Sequence, residues 1–275
     1  MKASREKFPI IFCVLAFCLY VIGEYGVGKI AGSMSFTSES VCDIASSAGG
    51  IMMMLLLLDF TGRMQLLREK GAGLGRGLLM GIAVIVIACF LGIVILASGT
   101  GEYKSPAGIC LFVIHVFVIG VSEELLCRGV MAESLLEHYG TDRKGIIKAT
   151  MISSIVFGLS HITNLFVGTS PVGVISQSLN AALAGILYAA IYFRSGNLWA
   201  PIIVHSMWDL CTIMGSSEGI YADADKVSQN VSAAGFSMEQ LSVSLIFVAA
   251  AVILLHSKKQ FDQVGQWFGK YCRKN

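Results

Sequence analysis

Apolar runs long enough to cross a hydrocarbon core of about 30 Å recur along nearly the whole chain, and no other feature constrains its fold as strongly. They cover residues 8–26, 44–60, 77–98, 107–132, 146–166, 172–193, 198–214 and 241–256. With 55% hydrophobic and only 14% charged residues over 275 positions, the chain lacks the polar surface of a soluble domain of that length. In lipid each backbone N–H and C=O must be satisfied inside its own segment, and continuous apolar runs of this length are too long for barrel strands. The expectation is an all-α, polytopic transmembrane helix bundle of about eight spans.

Lysine and arginine placement supports the alternation. With the N-terminus inside, the inside segments hold Lys2, Arg5 and Lys7; Arg63, Arg68, Lys70 and Arg76; Arg143, Lys144 and Lys148; Arg194; and Lys258, Lys259, Lys270, Arg273 and Lys274. Of the 20 basic residues only Lys29, Lys104 and Lys226 fall in outside loops, and Arg128 lies within a span. Both termini are therefore expected to be cytosolic. The first run follows a basic start, but no small-residue cleavage site follows it; Glu24 with Lys29 reads as a helix boundary, and the run is kept as a span.

Composition excludes other classes. A net charge of +2, with the basic residues accounted for by topology, gives no reason to expect nucleic acid as a partner. The eight cysteines are scattered through apolar runs and never form Cys-x-x-Cys, so they read as small core residues. Gly71, Gly73, Gly75 and Gly77 read as a loop between spans, with no dinucleotide-binding spacing. The Met residues, and the small residues between Ala181 and Gly185, read as packing.

Against this background a few polar residues stand out, because a charge near the bilayer centre costs about 2.5 to 3.5 kcal/mol and needs a partner or a purpose. The fourth span carries Glu123, Glu124 and Arg128, the fifth His161 behind Phe157, and the seventh His205 and Asp209. At 1.5 Å per helical residue, Glu123 lies about 15 Å from Glu133, His161 about 20 Å from Lys148 and His205 about 17 Å from Arg194. All three are thus at similar depth. Glu124 precedes Arg128 by four, the favourable order for a helix ion pair, which leaves Glu123 free to face a central cavity as a general base. His205 and Asp209 are also four apart, so the carboxylate can accept a proton from one ring nitrogen and fix what the other presents to the site.

One free glutamate and two histidines suit hydrolysis by an activated water. Glu123, His161 and His205 could hold a zinc ion, or glutamate and histidine could polarise the water without metal; the residues leave both routes open. The bland readings are a structural Glu124–Arg128 pair and interhelical hydrogen bonds for either histidine alone. His115 reads as a packing or hydrogen-bonding residue, and His138 and His256 as interfacial.

Glu123-Glu124-x-x-x-Arg128, Phe157-x-x-x-His161 and His205-x-x-x-Asp209, in that order on separate spans, resemble the three signatures of the CAAX protease and bacteriocin-processing family of intramembrane proteases. The resemblance covers residues 107–214. It implies an endopeptidase in which Glu123 and His161 activate water while His205 and its i+4 partner stabilise the oxyanion. That family accepts Asn or Asp at the last position. An ionised Asp209 cannot donate to an oxyanion, so an orienting role for His205, or metal ligation, is preferred over a direct oxyanion contact.

The expected organisation is N-terminal spans over 1–106, a catalytic core over 107–214, and an outside loop, last span and cytosolic tail over 215–275. The expected partners are membrane lipid and a lipidated or leader-type peptide substrate, in a bacterial cell membrane. A non-proteolytic bacteriocin-immunity or membrane signalling partner is the second class of function, and a proton-coupled transporter the third. A transporter would spread its acids along a pathway and often repeat a half, whereas here the acids cluster and no repeat is visible.

Overall fold

In the computed structural model the described residues are 8–34, 38–99, 101–167, 170–216, 219–222 and 238–268, with side chains from 242 onward in the last stretch. Lys2, Arg5, Lys7, Lys226, Lys270, Cys272, Arg273 and Lys274, which entered the topology and cysteine readings, lie outside them. The described residues are all-α apart from one isolated bridge between Tyr103 and Tyr221.

The helices are α1 Pro9–Gly32, α2 Glu39–Phe60, α3 Leu74–Met80, α4 Ile82–Ser98, α5 Pro106–Glu124, α6 Glu133–Tyr139, α7 Arg143–Ser160, α8 Pro171–Ser195, α9 Trp199–Ile213, α10 Met238–Leu254 and α11 Lys258–Phe268. Pro106 and Pro171 start their helices, where the missing N–H costs nothing, and Ser105 and Ser170 cap them by accepting from Gly108 and Gly173. Gly196, left-handed at φ 62°, ends α8.

Five helical stretches are long and apolar enough to cross a membrane: Pro9–Gly32, Glu39–Phe60, Pro106–Tyr139, Arg143–Phe166 and Pro171–Ser195. Two bent pairs bring the number to seven, Leu74–Met80 with Ile82–Ser98 at 68° and Ser242–Leu254 with Lys258–Phe268 at 81°. The protein is thus a multi-pass integral membrane protein. The run at 198–214, expected as a further span, is the 15-residue α9. At 1.5 Å per residue it is about 22 Å long and falls short of the hydrocarbon thickness.

Two other expectations change in detail. The third span is not straight, since Gly81 breaks it; a Cβ there would collide with Val204, so α9 can approach only because the residue is glycine. Gly75 and Gly77, expected in a loop, belong to α3. The tail beyond α10 is not a free extension either. It turns into α11, which buries Phe261, Val264 and Phe268 and sets Arg143 over the Phe261 ring.

The helix pairs that position the site are packed through small residues. A Cβ on Gly23 or Gly49 would collide with the partner backbone, and this holds α1 against α2. Gly158 does the same for α7 against α8, and Gly185 of α8 packs closely on Ser154 and Phe157 of α7. Membrane helices associate by such packing because lipid provides no hydrophobic drive between them.

Candidate active site

Between α5 and α6 the helix widens into a π-helical stretch, Leu125–Ala132, all eight residues of which are buried. Such stretches are rare and recur at functional sites. Glu123 and Glu124 end the α-helical part and Arg128 lies inside the wide part. Arg128 Nη1 donates to Glu124 Oε1 at 2.9 Å and Nη2 to the Gly185 carbonyl at 2.8 Å, with both charged side chains fully buried. The guanidinium also lies over the rings of Phe157 and Tyr188, 5.2 and 5.5 Å from their centroids. The expected Glu124–Arg128 pair is present, and its further contacts reach two neighbouring helices.

His205, on α9, lies where the three helices meet. Its Nδ1 hydrogen-bonds Glu124 Oε1 at 3.0 Å, and its Nε2 is 3.3 Å from Asp209 Oδ2 and 3.5 Å from Glu123 Oε2. Asp209 does reach the ring as its spacing predicts. The other nitrogen, however, does not face the site as expected: Glu124 occupies it, and Glu123 and Asp209 share the cavity side. Glu123 is therefore not free, although at 3.5 Å its contact is long.

His161 ends α7 and begins a 3-10 turn, His161–Val167. Its Nδ1–H donates to the Phe157 carbonyl at 3.0 Å, so the neutral ring keeps its Nε2 lone pair for the cavity. Phe157 stands edge-on to both imidazoles, 5.3 Å from His161 and 5.6 Å from His205. Its role as a wall between them matches its place one turn before His161.

Glu123, His161, His205 and Asp209 line one cavity of about 1250 Å³, which Glu24, Asp43, His115, Asn164, Gln177 and Asn180 also line. No hydrogen bond or ion pair joins Glu123 to His161, so the space between them is open to a water or a peptide. Among the described residues no three His, Cys, Asp or Glu side chains are arranged to hold a metal ion. Carboxylates stand at both nitrogens of His205, Glu124 at Nδ1 and Asp209 with Glu123 at Nε2.

Two residues escaped the sequence reading. Glu24 does not end the first helix; α1 continues to Gly32, and Glu24 faces the cavity, 3.5 Å from the Ser122 hydroxyl, which itself donates to Tyr20 at 2.8 Å. An acid within an apolar run carries the same signal as Glu123, but the nearby Lys29 suggested a boundary. Tyr188, stacked on His205 with centroids 4.7 Å apart, gave no signal, because an aromatic in an apolar helix reads as packing. His115 lines the cavity as well, where packing or hydrogen bonding was expected.

Carboxylates and imidazoles thus gather at one cavity within a membrane helix bundle, with the buried Arg128–Glu124 pair beside them. Residues 105–211 match the family described as Type II CAAX prenyl endopeptidase Rce1-like. The chain is thus a multi-pass membrane protein that carries an Rce1-like domain of this protease family. The matched residues take in all three signatures and leave out α1 to α4, α10 and α11. Comparison with curated proteins and with solved structures gave no significant match.

Proposed function

We propose that this protein is an endopeptidase that hydrolyses a peptide bond of a membrane-associated, lipidated or leader-type substrate inside or at the edge of the bilayer. The observation that carries the reading is the convergence of Glu123, His161, His205 and Asp209, from three helices, on one cavity of about 1250 Å³.

In this mechanism the Glu123 carboxylate accepts a proton from a water that the His161 Nε2 lone pair helps to orient. The water oxygen bonds to the scissile carbonyl carbon, whose oxygen becomes an oxyanion. Here His205 goes beyond the orienting role expected from the sequence: its Nε2–H, only loosely engaged at 3.3 and 3.5 Å on the cavity side, donates to that oxyanion while its Nδ1–H stays on Glu124. Collapse breaks the C–N bond, and the proton held by Glu123 passes to the leaving amine. Arg128 neutralises Glu124 and keeps it in place. Asp209 accepts from His205 and, as an ionised acid, does not donate to the oxyanion.

The catalytic core in this reading is 107–214, with the spans before it and α10 after it closing the cavity. By the lysine and arginine distribution, the segment before α1 and those around Arg63, Arg143 and Arg194 face the cytosol in this reading. The test is cleavage of a panel of lipidated and leader-type peptides by detergent-purified protein, with Glu123→Ala and His161→Ala compared and folding followed in parallel. Cleavage by the wild type alone is expected, and the products then name the substrate class. Full activity of both folded variants would replace catalysis with a partner-binding role.

A further inference from the structure

The restraints on His205 are uneven. In its own plane the ring is fixed at Nδ1 by the 3.0 Å bond to Glu124. At Nε2 the contacts to Asp209 and Glu123, 3.3 and 3.5 Å, are long and hold its tilt only loosely. A planar neighbour adds what they lack. The face of the imidazole lies on the Tyr188 ring, centroids 4.7 Å apart and planes 20° apart, while Phe157 meets it edge-on.

Tyr188 is itself firmly seated. It is 1% exposed, lies between the fully buried Leu187 and Ala189 on α8, and has Arg128 over its ring. Its hydroxyl makes no hydrogen bond although it is buried. A buried hydroxyl without a partner is an unusual arrangement in a packed interior. What Tyr188 gives the site in this state is therefore its flat face and not its hydroxyl.

We infer that Tyr188 is a positioning residue for the hydrolysis proposed above: its ring holds the His205 imidazole at the tilt from which Nε2 reaches the substrate oxyanion. It lines the same cavity and acts through His205, on which it is stacked. The inference rests on the proteolytic reading, and it adds a residue that belongs to none of the three sequence signatures.

The experiment measures kcat and KM on the same cleaved peptide for wild type, Glu123→Gln, Tyr188→Phe, Tyr188→Met and Tyr188→Leu, with thermal melts of each. Tyr188→Phe keeps the face and is expected within about twofold of wild type in kcat, since misplacement and not the hydroxyl is what matters. Tyr188→Met and Tyr188→Leu fill the space without a planar face and are expected to lose about 10- to 100-fold in kcat with KM changed less than about twofold, the order that a small misplacement of a reacting group costs.

The proposal is overturned if the folded Met and Leu variants cleave like wild type, or if Tyr188→Phe loses as much as they do, which would make the hydroxyl the working group. It is also overturned if neither Met nor Leu variant folds while Tyr188→Phe does, because Tyr188 is then structural. Failure of the broader reading looks different: wild type cleaves nothing, or Glu123→Gln cleaves as well as wild type.

Discussion

The long helix from Pro106 to Tyr139 carries two buried charge clusters, one at each end of its π-helical stretch. At the Glu123 end, three carboxylates face Arg128 and His205 around a cavity. At the Glu133 end, Arg63 reaches Glu133 at 3.5 Å and Glu137 at 2.6 Å, and the Tyr192 hydroxyl donates to Glu133 at 2.7 Å. None of these four residues lines the cavity. Burial and charge are alike in the two places. They differ in access, and access separates a set of groups that can meet a substrate from one that ties α6 to α8 and to the segment after α2.

The comparison predicts that damage at one end shows as rate and at the other as stability. The largest effect is expected from Glu123→Gln, which removes the base: a loss of about 10²- to 10⁴-fold in kcat, read in the peptide assay, with the thermal midpoint nearly unchanged. Arg63→Leu leaves two buried carboxylates without their cation, and denaturant titration should show a loss of about 3 to 5 kcal/mol. The fraction that remains folded is expected to cleave with wild-type kcat, and a rate loss per folded molecule would break the separation. Tyr192→Phe deletes one hydrogen bond to a carboxylate and should lower stability by about 1.5 to 3 kcal/mol, again with no change in kcat.

The smallest effect is expected from Asp209→Asn. An amide oxygen still accepts from His205 Nε2, so the activity should stay within about tenfold of wild type. A complete loss would mean that Asp209 carries charge the reaction needs, and would move it from an orienting part to a central one.

Much of the Glu123 end could be read from the sequence because its signal is local. An acid pair with Arg128 four residues on, and a histidine with Asp209 four residues on, fix which side chains can meet on one helix before anything is known of packing. The depth argument then brought three helices to one level, and Glu123, His161, His205 and Asp209 line one cavity. What could not be read depends on the rotation of one helix against another. Glu24 faces inward on an α1 that lies tightly on α2 through Gly23 and Gly49, and Tyr188 meets His205 across the contact between α8 and α9.

The same limit explains the differences in shape. Hydropathy reports that a segment is apolar, not that it bends by 68° at Gly81 or that α11 turns away from α10 by 81°. It also overstates α9, whose 15 residues are shielded by neighbours as much as by length, with His205 and Ser206 buried. The Arg63 cluster was invisible because its cation sits in a segment between helices, 70 residues from Glu133 in the chain, and reads there as an ordinary inside charge.

The wide turn over Leu125–Ala132 gives the two clusters a fixed phase around their shared axis. Each residue of an α-helix advances about 100°, so one residue removed from or added to that stretch would rotate everything on its far side by roughly a quarter of a circle. With Glu133 locked to Arg63 and Tyr192, the rotation would carry Glu123 away from His205. The chain is therefore far less tolerant of a change in length there than of a change in side chain: it works as a ruler wound around an axis, and its graduations count degrees.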